Sequence, residues 1–297
     1  MSLIALGSEQ IARTLYRTDQ VHRPIPHPNA FGPEQIEEYR TRGFIAIENV
    51  FTPREVDDAI AGLSHLIRGG NPDFKAVQIE PELLARAEGL PPEQKELFVR
   101  KIAWFVEFDA RLKAMSDNPT LVRIVEALVG TKVTMTQDMA LLKPPQVGTE
   151  KPWHQDTAYF LYEPLELVIG TWTALDPATI ENGCMHVIAG SHLKGPRPHY
   201  HDRDCQLPDE DVDLTNDVVV PLKPGGTLFF SGLLHHGTPP NRSQDRRRAL
   251  QFHYASVNCR KMTRETHEGL FKDEVGYATC TGWQTDRPLR PIATKPK

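Results

Sequence analysis

The chain has 297 residues, of which 39% are hydrophobic and 25% charged, and its net charge is −5. That composition supports a packed, soluble core, and the acidic balance argues against a nucleic-acid binder, which needs a basic surplus. No apolar run approaches the roughly 18 residues of a membrane span, and MSLIALGSEQIARTLYR lacks the build of a secretory signal, so a cytoplasmic protein is expected. Cys184, Cys205, Cys259 and Cys280 show no C-x-x-C spacing and are expected to be free thiols.

Residues 33–42 predict a helix that leads into a strand at GFIAIEN. Thr52-Pro53, with Glu55 at the capping-box position, opens a second helix that runs to Gly69-Gly70. Residues 71–95 are polar and proline-spaced and read as a mobile insert. Residues 98–128 read as helical, with Ile102, Phe105, Leu112, Leu121, Ile124, Val125 and Leu128 as apolar-face candidates and Gly130 as the stop.

From residue 131 the pattern changes. VTMTQDMALLK, LVIGTWTALD, DVVVPL, GTLFFSG and RRALQFHYAS are short β-rich runs divided by Pro, Gly, Asn and Asp. The polar stretch 195–217 interrupts them and reads as a lid. The 25 prolines argue against a helical bundle. The expected fold is mainly β with flanking helices, an antiparallel barrel or sandwich buttressed by the N-terminal helices. One domain is expected over 1–297: a mostly helical buttress with an early strand to 130, and a β core over 131–260.

WHQD sets His154 and Asp156 two apart, so on an extended strand they share a face and Gln155 points away. A second imidazole could come from His235 or His236 in LLHHGT. Two histidines and a carboxylate on one face of a metal leave three positions open, the arrangement of non-haem Fe(II) oxygenases. His-x-Asp by itself is weak, since 12 histidines give about one such match by chance. Arg247 adds the support. On RRALQFHYAS, Arg247, Ala249, Gln251 and His253 share a polar face that would line a cavity, and Arg248, Leu250, Phe252 and Tyr254 share the other. An enclosed arginine is costly unless it meets an anion, and guanidinium binds a carboxylate bidentately. A dicarboxylate cosubstrate supplies that anion, with Thr238 as a further donor. The spacing to Arg247 favours His236 over His235.

With these motifs in order, and with WTALD, ENGCMHVIAGSHLKG, PGGTLFF and HHGTPPNRSQDRRRA between and beside them, the chain resembles the phytanoyl-CoA dioxygenase family over most of its length. The resemblance implies a double-stranded β-helix, a cupin-like jelly-roll flanked by helices. It implies Fe(II) held by His154, Asp156 and His236, with 2-oxoglutarate and O2 as cosubstrates and ascorbate supportive in vitro. It matches Arg247 and Thr238 to the distal carboxylate of 2-oxoglutarate, Trp172 to a cosubstrate-pocket tryptophan and Met139 to a pocket wall. It matches Lys101 to a helix lysine that contacts the cosubstrate, and Gln155 to a further contact. Related halogenases carry a small residue where Asp156 stands, so hydroxylation of a small organic metabolite is expected, by a monomer or homodimer without nucleic-acid or membrane partners. Desaturation, cyclisation and epoxidation use the same ligands. A cupin-like metalloenzyme would need neither Arg247 nor Trp172, and a non-catalytic relative would not need an intact triad.

Overall fold

Capping chemistry sets the N-terminal helices in the computed structural model, which describes residues 8–201, 203–272 and 290–291. Helix Pro33–Arg42 ends at Gly43, whose φ of 82° suits a residue without a Cβ. Helix Pro53–Ile67 opens with the expected box: the Glu55 N–H donates to Thr52 Oγ1 at 3.3 Å, and the Thr52 N–H donates to the Glu55 carboxylate at 2.7 Å. Asn118 caps Pro119–Val129, which stops at Gly130 with φ 80°.

In chain order the strands are β1 Phe44–Ile47, β2 Val77–Ile79, β3 Val99–Ala103, β4 Val133–Lys143, β5 Lys151–His154, β6 Tyr162–Glu163, β7 Val168–Ala174 and β8 Met185–Ile188. They continue as β9 Tyr200–His201, β10 Cys205–Gln206, β11 Asp217–Val220, β12 Thr227–Ser231, β13 His236–Thr238, β14 Arg247–Ser256, β15 Arg260–Lys261 and β16 Arg290–Pro291. The larger sheet runs β1-β12-β7-β14-β4-β3-β2, with β16 also on β4. The smaller runs β11-β8-β13-β5. The jelly-roll is therefore present as two separate antiparallel sheets, not as a closed barrel.

Alternation along β14 divides the core. Leu250, Phe252 and Tyr254 face the helices with Leu63, Ile124 and Val125. Ala249 packs on the opposite side with Trp172, Val187 and Phe230. No described helix is long and apolar enough to cross a membrane.

Several expectations need correction. Residues 99–103, expected as helix, form β3, because their backbone pairs with β4 from Lys101↔Leu141 to Ala103↔Met139. Lys101 is thus a strand residue. The segment 71–95 contains β2, paired to β3, and short helical turns. The stretch 195–217 is folded as well, with the β9–β10 hairpin and turns at Asp209–Asp211 and Leu214–Asn216. Arg203 pins it to Glu150 at 2.8 Å and braces it internally through Asp209 at 2.7 Å. Cys184 and Cys259 are free, as expected, but Cys205 is disulfide-bonded, and its partner is not among the described residues. Cys280 lies outside the described residues.

Candidate active site

Strand pairing brings the two histidines together. His236 on β13 lies directly opposite His154 at the end of β5, and their ring centroids are 4.2 Å apart. Gln155 is extended, with φ −113° and ψ 132°, so Asp156 returns to the His154 side even though it opens a turn, Asp156–Tyr159. One ligand atom from each of His154, Asp156 and His236 falls within 4.8 Å of the others, and all three residues are buried.

The ring nitrogens are sorted for a metal. His154 Nδ1 lies 2.8 Å from the carbonyl of Pro152, and His236 Nδ1 2.9 Å from that of Leu234. A carbonyl only accepts, so each Nδ1 carries the proton and each Nε2 offers a lone pair. Those Nε2 atoms lie 3.4 and 3.5 Å from Asp156 Oδ1. Burial and the facing His236 push the His154 imidazole down to about 4, which keeps it neutral. Burial alone would raise the Asp156 carboxyl, but His253, His236 and His154 hold it well below the usual range. Two imidazoles that present Nε2 and a carboxylate form a donor set that fits a divalent iron. His235 points elsewhere: its Nε2 has no partner among the described residues, and its N–H donates to Ser191 Oγ at 2.8 Å.

A cavity of about 600 Å³ opens beside the triad. Arg247, Thr238, Met139 and Lys101 line it along with His154, Asp156 and His236. Arg247 is 1% exposed, and its Nε has no hydrogen-bond partner among the described residues. Its Cζ sits 5.1 Å from the centroid of the buried Trp172 ring, whose Nε1 is likewise unpartnered. Burial lowers the guanidinium to about 10. A buried cation stacked on an aromatic face, with a donor left over, fits an incoming carboxylate. Lys101 is partly buried, and burial, with Lys151 nearby, brings its amine down to about 8.

Two expected contacts fall elsewhere. Trp172 lies behind Arg247 and does not line the cavity. Gln155 is turned away from it: its amide donates to the carbonyls of Gly195 and Leu233 at 2.9 and 2.7 Å, and its oxygen accepts from the Arg197 N–H at 2.8 Å. The sequence reading missed Lys143, the Cα partner of Arg247 across β4 and β14. Its buried amine reaches the carbonyls of Thr149, Thr238 and Pro239. Burial and Arg247 lower it well below a usual lysine. No local motif in LLKPPQ marks it. Gly183, with φ 82°, leaves room there: a Cβ would come within 2.4 Å of the Pro239 carbonyl and 3.2 Å of the Lys143 side chain.

The chain is similar to known proteins in both sequence and fold. The sequence pattern of the Phytanoyl-CoA dioxygenase (PhyH) family matches residues 39–249. The human protein named "Phytanoyl-CoA dioxygenase, peroxisomal" is 26% identical over 258 residues, covering 82% of this chain and 75% of its own. Among solved structures, EvdO2 from Micromonospora carbonacea var. aurantiaca superposes with a TM-score of 0.61 at 25% identity, over 84% of this chain and 100% of that one. EvdO2 has also been solved complexed with 2-oxoglutarate. SnoK, a non-haem α-ketoglutarate-dependent carbocyclase from nogalamycin biosynthesis, shares the fold at 18% identity and a TM-score of 0.61, over 84% of this chain and 94% of its own. A jelly-roll with a His-Asp-His pocket and relatives of this kind defines a non-haem oxygenase dependent on iron and 2-oxoglutarate. Within that class, the chain belongs to the phytanoyl-CoA dioxygenase family.

Proposed function

We propose that this protein hydroxylates an unactivated C–H bond of a small organic molecule, with succinate and CO2 formed from 2-oxoglutarate. In this reading His154 Nε2, Asp156 Oδ1 and His236 Nε2 hold the iron. The observation that carries the cosubstrate assignment is Arg247, a buried guanidinium with an unpartnered Nε on the wall of the same cavity. A cupin-like enzyme without a cosubstrate would leave that charge stranded at a cost of several kcal/mol.

Iron and 2-oxoglutarate, when bound, supply the activation of dioxygen that the side chains cannot perform. The chain supplies the rest. Arg247 pairs with the distal carboxylate, Thr238 offers a hydroxyl to it, and Trp172 fixes the guanidinium plane from behind. Lys101 places a cation on the same wall, and Met139 gives an apolar surface for the chain of the cosubstrate. The β9–β10 hairpin, tied down by Arg203, walls the cavity and helps exclude water. Keeping Asp156 as a ligand favours hydroxylation over halogenation. Cyclisation and desaturation would use the same ligands, and analysis of the product separates them.

The test is succinate formation from 2-oxoglutarate with Fe(II) and ascorbate. His154→Ala is expected to abolish turnover. Arg247→Ala is expected to raise the KM for 2-oxoglutarate about 100-fold, the effect of removing one partner of a buried charge pair. Absence of 2-oxoglutarate binding by the Fe(II)-loaded wild type would overturn the reading.

A further inference from the structure

A carboxylate that ligates through one oxygen has a second oxygen to place. Here that atom is Asp156 Oδ2, and β14 reaches it twice. His253 Nε2 lies 2.6 Å from Oδ2, and Gln251 Nε2 lies 3.2 Å from it. A carboxylate only accepts, so both nitrogens donate. Oδ1 is left facing the imidazoles of His154 and His236.

The His253 ring is itself held. It is 1% exposed, with Phe160 at 4.7 Å and Phe230 at 6.4 Å between centroids. Its Nδ1 has no partner among the described residues. The ring proton therefore belongs on Nε2, where the carboxylate receives it. Phe230 also packs on His236 at 4.7 Å, so one aromatic ring braces a ligand histidine and the partner of the ligand carboxylate.

We propose that His253, backed by Gln251, is a positioning residue that holds Asp156 as a one-oxygen ligand. The proposal rests on the reading of Asp156 as an iron ligand. A carboxylate free to pivot can chelate a metal through both oxygens and occupy a position that the cosubstrates need. Two donors on Oδ2 prevent the pivot and fix the carboxylate plane, as outer hydrogen bonds do for other metal ligands. His253 is spaced two from Gln251 and six from Arg247 on the same face of β14. One strand thus carries the anchor for the cosubstrate and the clamp on the ligand.

Co(II) binding to the full chain tests this without turnover. Calorimetry gives the affinity, and the visible ligand-field spectrum reports coordination number. His253→Phe keeps the ring volume and removes the donor. It is expected to weaken Co(II) binding by about 10- to 100-fold and to change the spectrum. His253→Gln restores a donor near the same point and is expected to bring both readouts back towards wild type. A folded His253→Phe with wild-type affinity and spectrum overturns the proposal. So does a His253→Gln that is as impaired as His253→Phe, because restoring the donor would then not restore the site. Should His253→Phe not fold, Gln251→Leu decides: weakened Co(II) binding supports the clamp, and unchanged binding overturns it. If wild type binds Co(II) no better than His154→Ala, the ligand assignment itself fails, a result distinct from failure of the clamp alone.

Discussion

At the scale of single residues, histidines perform separable tasks in this protein. His154 and His236 present lone pairs, whereas His199 holds the backbone between two proposed ligands. Its Nε2 accepts the Gln155 N–H at 2.9 Å, and its Nδ1 donates to the Arg197 carbonyl at 2.8 Å. The first bond requires a neutral ring, because a protonated Nε2 has no lone pair to offer, and burial pushes the imidazole from 6.5 to about 3. The folded value lies below the unfolded one, so the contribution to stability is complete above pH 6.5 and is lost as pH falls towards 3. By pH 5 the loss from this residue alone is about 2 kcal/mol. Urea midpoints at pH 8 and pH 5 check this, since His199→Gln should flatten the pH dependence by that amount.

Residue-level reading of the sequence singled out His154, Asp156, His236 and Arg247, which the structure brings to one cavity, because each belongs to a short motif or a two-faced strand. It placed Gln251 and His253 on the cavity face of β14 by alternation. It could not pair them with Asp156, about a hundred residues away in sequence. Contacts of that separation are decided by sheet order, and no local spacing encodes them.

At the scale of elements, the capped helices were legible because capping is local chemistry. β3 was not. Val99, Ile102 and Ala103 fall at i, i+3 and i+4, which fits a helix face over so short a run. The pairing with β4 decides the outcome, and it lies about forty residues further on. The seam between β7, β12 and β14 offers a test. Gly170 faces Phe230 across β7 and β12, and a Cβ on it would come within 2.4 Å of the ring. Phe230 cannot retreat freely, because His236 lies behind it at 4.7 Å. Gly170→Ala is expected to cost about 1–3 kcal/mol of stability through overpacking. It should also weaken metal binding by displacing the His236 ring. Thermal melts and Co(II) titration of the same sample check both effects.

For the whole molecule, the proposed ligands divide between the two sheets. His154 and His236 stand on the smaller sheet and Arg247 on the larger. Bound metal and 2-oxoglutarate would therefore join the two layers. With Ni(II) and 2-oxoglutarate each at 100 times its Kd, each ligand should stabilise the fold by about 2.7 kcal/mol. From the per-residue unfolding entropy, that is about 4 °C in Tm per ligand for a chain of this size. Arg247→Ala should keep the nickel increment and lose the 2-oxoglutarate increment, as read by thermal shift with each ligand added in turn. The layered architecture was legible from the change of pattern near residue 131. Its openness was not, because barrel closure depends on which edge strands pair.

The bulge on the β4–β14 ladder has a consequence for how the protein folds. Register shifts there between His253 and Tyr254, where Thr136 Oγ1 bonds the His253 carbonyl at 3.2 Å. Sliding β14 by one residue against its neighbours would turn Arg247, Gln251 and His253 out towards the helices and Leu250, Phe252 and Tyr254 into the cavity. An intermediate of that kind would bury the Arg247 charge in the helical layer and lose cosubstrate anchor and carboxylate clamp together. Molecules recovered from denaturant should therefore divide into fully competent and wholly inactive populations, with few of graded ability between them, and the irregularity beside His253 acts as the index mark that selects the first.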